Sequence, residues 1–441
     1  MLINMKKASL LILALFITTA SFSQGMFSLF KRSNDFFDLM QLHKFTEAHE
    51  FFDTNLGSKV SVADLEKLWG DLDARYGKFD SAAATAGKTE GEYYVVTIDG
   101  KFASDTQSFI MAFNKTEKVV GFFVKPRSAE GVYLNPAYAD TTLYAQKEIY
   151  VKATGHSLVG LLTTPKKGTN FPVVILVHGS GPSDMDETLG PNKPFKDLAA
   201  GLAAKGIASI RYVKRTMVYS GEFGHAFTVK EEVVDDAVAA VELAATIPGI
   251  DKKQIYLLGH SIGGMVAPKI ATLAPQLKGI ILAEAPARKF TDVWVEQNKY
   301  MFDTSKDTTQ AGKKHYDLIV AELAKTRITS LGTMKPDSTL FGMPASYWAD
   351  LNLYNQVETA KKLKQRILII QGANDFQVSS AEYEVWNEAL GKKSNVTLKL
   401  YPDLNYLLSS QLEKGTVRQY QTPGSVSETL INDIVGWINQ K

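Results

Sequence analysis

The sequence predicts an α/β chain, a mainly parallel sheet covered by helices on both faces, preceded by a small α+β domain. Three observations predict it. From about residue 143 onward, short apolar runs alternate with amphipathic stretches, as strands joined by right-handed crossover helices do. Residues 27–126 place helices first and period-two strands afterwards, the pattern of helices packed on an antiparallel meander. Gly259-His260-Ser261-Ile262-Gly263 sits between the β-prone run Ile255-Tyr256-Leu257-Leu258 and a helix-like segment from Gly264 to Ala271. A serine between a buried strand and a helix must turn sharply, and flanking glycines remove the Cβ atoms that would clash there.

The elements follow in order. Lys6 and Lys7, the apolar run Ala8–Ala20 and the small residues Ser21-Phe22-Ser23 form a secretory signal over residues 1–23, with cleavage before about Gln24. A retained membrane anchor is the competing reading, and the apolar run is short for it. Ser33–Leu42, Phe45–Phe52 and Val62–Tyr76 carry helical spacing. Tyr93–Ile98, Ser108–Phe113 and Val119–Val124 alternate as strands. Residues 127–142, with Pro136 and Gly131, are the expected linker. Beyond it come a hairpin around Gly155, the buried strand Val173–Val177, a helix from about Pro194 to Lys205 and a strand Ile207–Tyr212. A long helix Val229–Ala245 precedes the Ser261 strand; strands Gly279–Ala283, Ile367–Ile370 and Val396–Tyr401 and a helix Ser425–Ile438 complete the domain at 143–441. Residues 288–350 break the alternation, and an insertion there belongs over the carboxyl ends of the strands, as a lid or substrate wall.

With 441 residues there is length for two domains and a sizeable core. A formal net charge of +2 gives no reason to expect nucleic acid or an acidic membrane surface. The chain has no cysteine, which excludes disulfides, thiolate metal sites and a lipidated cysteine. Histidines and acids show no metal-ligand spacing, and Gly259–Gly264 lacks a phosphate-loop lysine, so no metal or cofactor is expected. Beyond the first residues no apolar stretch is long enough to span a bilayer.

Four features converge on acyl transfer. Ser261 is the expected nucleophile, with the helix N-terminus behind it favouring developing negative charge. His178-Gly179-Ser180-Gly181-Pro182 ends the buried strand, where the N–H groups of Ser180 and Ile262 are the expected oxyanion donors. Asp375 follows Gln371-Gly372-Ala373-Asn374 at the carboxyl end of a strand, placed to orient a base. Tyr347 and Trp348 are expected pocket wall, against the competing reading of core packing.

These motifs resemble the α/β-hydrolase superfamily from about residue 145 to 441, and more closely its bacterial exported esterases and acyl hydrolases related to the serine aminopeptidase and dienelactone hydrolase groups. Gly190–Phe195, Arg211-Tyr212, Ser346-Tyr347-Trp348 and Gln371–Val378 share in the resemblance. Residues 27–126 resemble the small domain of unknown function that often precedes such hydrolases. The resemblance implies a Ser261–Asp375 pair completed by a histidine after the last strand. Here that segment reads Pro402-Asp403-Leu404-Asn405-Tyr406-Leu407-Leu408; Tyr406 stands in the histidine's place, and no histidine follows His315. A phenol titrates near 10 and has one heteroatom, so it is a poor base and cannot bridge serine and aspartate as imidazole does. Of the remaining histidines, His315 in the insertion and His225 before the long helix are the alternative bases; His260 and His178 are expected to be structural, and His43, His49 and His156 lie far from the site. A second departure is Val213, where the family usually has aspartate; valine cannot balance the neighbouring cations. The expected function is an exported hydrolase of small carboxylic esters or thioesters. The alternatives are a catalytically silent relative that binds an acyl or peptide-like ligand, and an envelope interaction module in which the first domain does the work.

Overall fold

The computed structural model describes residues 28–90, 93–104, 106–124, 133–153, 155–219, 222–223, 226–306 and 309–440. The expected signal sequence, residues 127–132 of the expected linker and His225 lie outside them. The chain divides into two compact units after Ser128.

In the first unit a helix over 28–41, two short helices and the helix Val62–Tyr76 cover one sheet. Ser61 caps that last helix and Asp64 returns the bond to the Ser61 N–H, satisfying two end donors at once. Strands β1 (Phe79–Glu90), β2 (Tyr93–Phe102), β3 (Thr106–Phe113) and β4 (Val119–Val124) pair antiparallel in chain order. Phe36, Phe37, Trp69, Phe109 and Phe113 fill the space between helices and sheet. Strand β1 is absent from the sequence expectation, because its Ser-Ala-Ala-Ala-Thr-Ala-Gly run lacks the large apolar residues that mark a strand; pairing with β2 holds it.

The second unit is built on an eight-stranded sheet. Its strands are β5 (Tyr144–Ala153), β6 (His156–Pro165), β7 (Phe171–Val177), β8 (Ala208–Tyr212), β9 (Ile250–His260), β10 (Gly279–Ala283), β13 (Arg366–Gly372) and β14 (Val396–Tyr401). The two-residue strands β11 (Thr339–Leu340) and β12 (Met343–Pro344) form a separate hairpin. The order is β14-β13-β10-β9-β7-β8-β6-β5, parallel from β14 to β8 and antiparallel at β6 and β5. Continuous apolar runs such as Val173–Val177 are buried on both faces, as central parallel strands require. Helices Pro194–Ala204 and Glu428–Asn439 cover one face, and Asp235–Ala244 and Ile262–Leu273 cover the other.

The insertion contains helices Phe290–Ser305, Gln310–Lys325 and Ala345–Leu353 with the β11–β12 hairpin. It rises from the carboxyl end of β10, and Tyr300 stacks on Phe376, next to Asp375, at 5.8 Å between ring centroids. Among the described residues no helix is long and apolar enough to cross a membrane.

Candidate active site

Ser261 sits at the β9-to-helix junction with φ 53° and ψ −119°, a left-handed conformation that a non-glycine residue keeps only under constraint. The constraint is visible. Its N–H donates to the Ala283 carbonyl at 2.9 Å, and its carbonyl accepts from Met265 N–H at 2.8 Å. A Cβ on Gly259 would fall on the Gly263 carbonyl, and one on Gly263 would overlap the Val177 carbonyl oxygen and lie 2.6 Å from that of His178. The strand, the turn and the helix can approach this closely only as glycine backbone.

The turn after β7 is clamped from three sides. Gly179 N–H donates to Glu187 Oε1 and Gly181 N–H to Glu232 Oε1, both at 2.6 Å. Lys214 Nζ reaches the Gly179 carbonyl at 2.6 Å and Glu232 Oε1 at 2.8 Å. Among the described residues the Ser180 N–H, between those two anchored donors, has no partner. Ile262 N–H is one of the unsatisfied first donors of its helix. Glu232 comes from a π-helical turn, Lys230–Val234, that opens the long helix expected over 229–245; such turns add one residue and recur at functional sites. The cations around Val213 find carboxylates elsewhere: Arg211 on Asp186 at 2.8 Å, Lys214 on Glu232, and Arg215 on Asp236. These partners escaped the sequence reading. The available signal was the presence of Glu232 and Asp236, four residues apart, among Val229, Val233, Val234 and Ala237 on one apolar face.

Tyr406 stands against Ser261. Its hydroxyl faces the same point of the turn as Ser261 and Glu187: a methyl placed on Gly179 would lie 3.3 Å from each of Ser261 Cβ, Glu187 Oε1 and Tyr406 Oη. The loop holds it firmly: Asn405 Oδ1 accepts from Leu407 N–H at 2.9 Å and Ser409 N–H at 3.2 Å. Burial raises the Tyr406 phenol above its ordinary range, and the negative charge of Glu187 adds to this. The side chain at the base position is therefore a proton-bearing phenol at neutral pH.

Among the described residues no other histidine takes over. His260 is buried, its ring 4.5 Å from that of Tyr406. Burial alone would lower its pKa, but the charge of Glu187 outweighs it and the pKa is raised. Nε2 donates to the Tyr406 carbonyl at 2.8 Å, and Nδ1 lies 3.0 Å from Glu187 Oε2 as an ion-pair contact. His178 is pushed down to about 4 by burial and bonds the Asp184 carbonyl at 2.9 Å, holding the turn as a neutral ring. His315 is exposed on helix Gln310–Lys325.

Asp375 is fully buried after β13, with Oδ1 accepting from Gln377 N–H at 2.6 Å and Val378 N–H at 3.0 Å. Burial raises its pKa to about 6. Beside it lies Glu284, also fully buried, which the sequence reading did not single out.

Tyr347 and Trp348 correct an expectation. Both are buried in the core rather than on a pocket wall: Trp348 Nε1 donates to the Leu340 carbonyl at 2.8 Å, and Tyr347 packs edge-on to Phe227 at 5.7 Å. The helix Ala345–Leu353 turns them toward the sheet, because only there can such large rings be covered. Phe227 with Gly181, Pro182, Glu232, Met343 and Pro344 instead lines a cavity of about 350 Å³ beside the Gly179–Gly181 turn.

A family profile described as "Serine aminopeptidase, S33" matches residues 171–406, more than half the chain and the span that holds the elbow, the oxyanion turn and positions 375 and 406. The chain belongs to that family. A second profile, described as a protein of unknown function (DUF3887), matches residues 33–122. Among relatives of this serine aminopeptidase family member, esterase EstD of Thermotoga maritima is 34% identical over 394 residues, covering 89% of this chain and 91% of EstD. Est1E from Butyrivibrio proteoclasticus is similar over 66% of this chain and 99% of its own, at 15% identity and a TM-score of 0.43. A dienelactone hydrolase structure from Klebsiella pneumoniae is similar over 68% of this chain and 99% of its own, at 15% identity and a TM-score of 0.39.

Proposed function

We propose that this chain is an exported hydrolase of small carboxylic esters or thioesters whose turnover is held far below that of a complete triad by Tyr406. The observation that carries the reading is the elbow: Ser261 in its constrained conformation, flanked by the Ile262 and Ser180 N–H groups. The likeness to esterase EstD along most of both chains supports the ester class. Ser261 Oγ bonds to the acyl carbon, the oxyanion is held by the two N–H groups, and the leaving group departs as its C–O or C–S bond breaks. The serine proton then has to reach the leaving group directly or through water, since Tyr406 already holds its own. Water hydrolyses the acyl-serine in the second half. Export rests on the sequence of residues 1–23.

The phenol beside Ser261 supports a second reading, a silent relative that binds an acyl ligand in the cavity beside Gly181. Two measurements separate them. A fluorophosphonate probe should label the wild-type protein and not Ser261→Ala; no labelling of either favours the silent relative. Tyr406→His should raise p-nitrophenyl ester turnover by roughly a thousand-fold or more, since loss of the base costs up to about a million-fold in a serine protease. An unchanged rate would defeat the hydrolase reading.

A further inference from the structure

Glu284 is a residue that triad chemistry does not require. It ends β10 with φ 47°, a region where glycine or asparagine is at ease and a glutamate is strained. It is fully buried, as is Asp375, and it lies against the end of β13 that leads into Asp375. Ionised carboxylates only accept hydrogen bonds, so a bond between two of them needs a proton on one. The remaining capacity of the pair is assigned. Glu284 Oε1 accepts from Gly372 N–H at 2.8 Å, and Oε2 accepts from Gln371 Nε2. Asp375 Oδ1 takes the two backbone N–H groups already described, whereas Oδ2 is buried and receives no N–H or hydroxyl donor.

We propose that Glu284 is a positioning residue that holds a proton between its own carboxyl and Asp375 Oδ2, occupying the place on Asp375 that an imidazole at position 406 would take. This rests on the reading of Asp375 as the acid of the site. Tyr406 and Glu284 then form a matched pair. The single hydroxyl of Tyr406 lies by Ser261 and Glu187, the buried Asp375 Oδ2 is left without a donor, and the acid form of Glu284 supplies one. A histidine introduced at 406 restores a base but has to compete with Glu284 for Oδ2.

The electrostatics agree. Burial brings Asp375 to about 6, and burial together with the charge of Asp375 lifts Glu284 well above the usual carboxyl range. His260 from β9, and Tyr406 and Tyr420 from the segment after β14, are the titratable groups facing Asp375, with Glu187 beyond Tyr406. Carboxyls raised in the folded state hold protons that the unfolded chain has released. Their stabilising contribution is complete below the ordinary carboxyl range and is lost as pH rises through about 6 and on through the higher value of Glu284.

The experiment compares ester turnover of Tyr406→His with that of Tyr406→His/Glu284→Gly, and thermal midpoints of wild type and Glu284→Gln across about pH 4 to 8. Glycine accepts the left-handed backbone at 284, so the double variant retains a folded elbow region. Glutamine keeps a donor toward Asp375 but removes the titration. The double variant should turn over about tenfold faster than the single one, and the wild type should lose stability with rising pH more steeply than Glu284→Gln. Parallel stability curves would overturn the shared proton, and equal turnover of the two histidine variants would overturn its competition for Asp375. Absence of turnover in both counts against the hydrolase reading instead, and the stability curves still decide where the proton resides.

Discussion

The two halves of the candidate site are held by different means. One half, Ser261 with the turn at Gly179–Gly181, is fixed by backbone: glycines in close approach, strand-end carbonyls and N–H groups anchored on the Glu187 and Glu232 carboxylates. The other half, Asp375, Glu284 and Tyr406, depends on side chains brought together from three separate strand ends. Backbone geometry tolerates no substitution without moving the fold, whereas a side chain can be exchanged for another of similar size. The contrast explains how Ser261 keeps its constrained turn while the group opposite it has become a phenol.

The comparison is open to test. Glu232→Ala should do the most damage, because it leaves Lys214 buried with only a carbonyl for company. A loss of about 3–5 kcal/mol is expected for an uncompensated buried charge, read as a fall in the urea midpoint. A variant of near wild-type stability would mean that the clamp on the oxyanion turn is not structural. Gly263→Ala should cost about 1–3 kcal/mol from overpacking against the Val177 and His178 carbonyls, with fluorophosphonate labelling reduced along with it. Smallest is Tyr406→Phe, which removes only the hydroxyl beside Ser261 and should shift stability by no more than about 1 kcal/mol. A large loss there would place Tyr406 with the fixed half of the site, contrary to the division drawn above.

Legibility in the sequence follows the same line. The elbow, the strand before it and the helix after it are neighbours in the chain, so residue spacing alone revealed them; the β7 turn and the carboxyl-end position of Asp375 were found the same way. The large parallel sheet was visible because its strands are continuous apolar runs. Strand β1 was not, since its small residues carry no period and only its partner makes it a strand. Glu187, Glu232 and Glu284 were missed for a related reason. Glu187 meets His260 and Glu284 meets Asp375 across long loops, and nothing local distinguishes them from solvated acids. Tyr347 and Trp348 show the converse error, a motif taken for a pocket wall when the rings were needed for the core.

Lys214 and Arg215 are successive residues, yet the carboxylates that meet them, Glu232 and Asp236, straddle the junction where the π turn gives way to α-helix. Deleting one residue inside that turn would return the segment to an ordinary helix and swing Glu232 by about 100° around the axis, while Asp236 and the downstream packing stayed where they are. The Gly181 N–H would then lose its anchor although none of the residues around it had changed. The anchoring of the Gly181 edge is thus set by a count of residues as well as by composition.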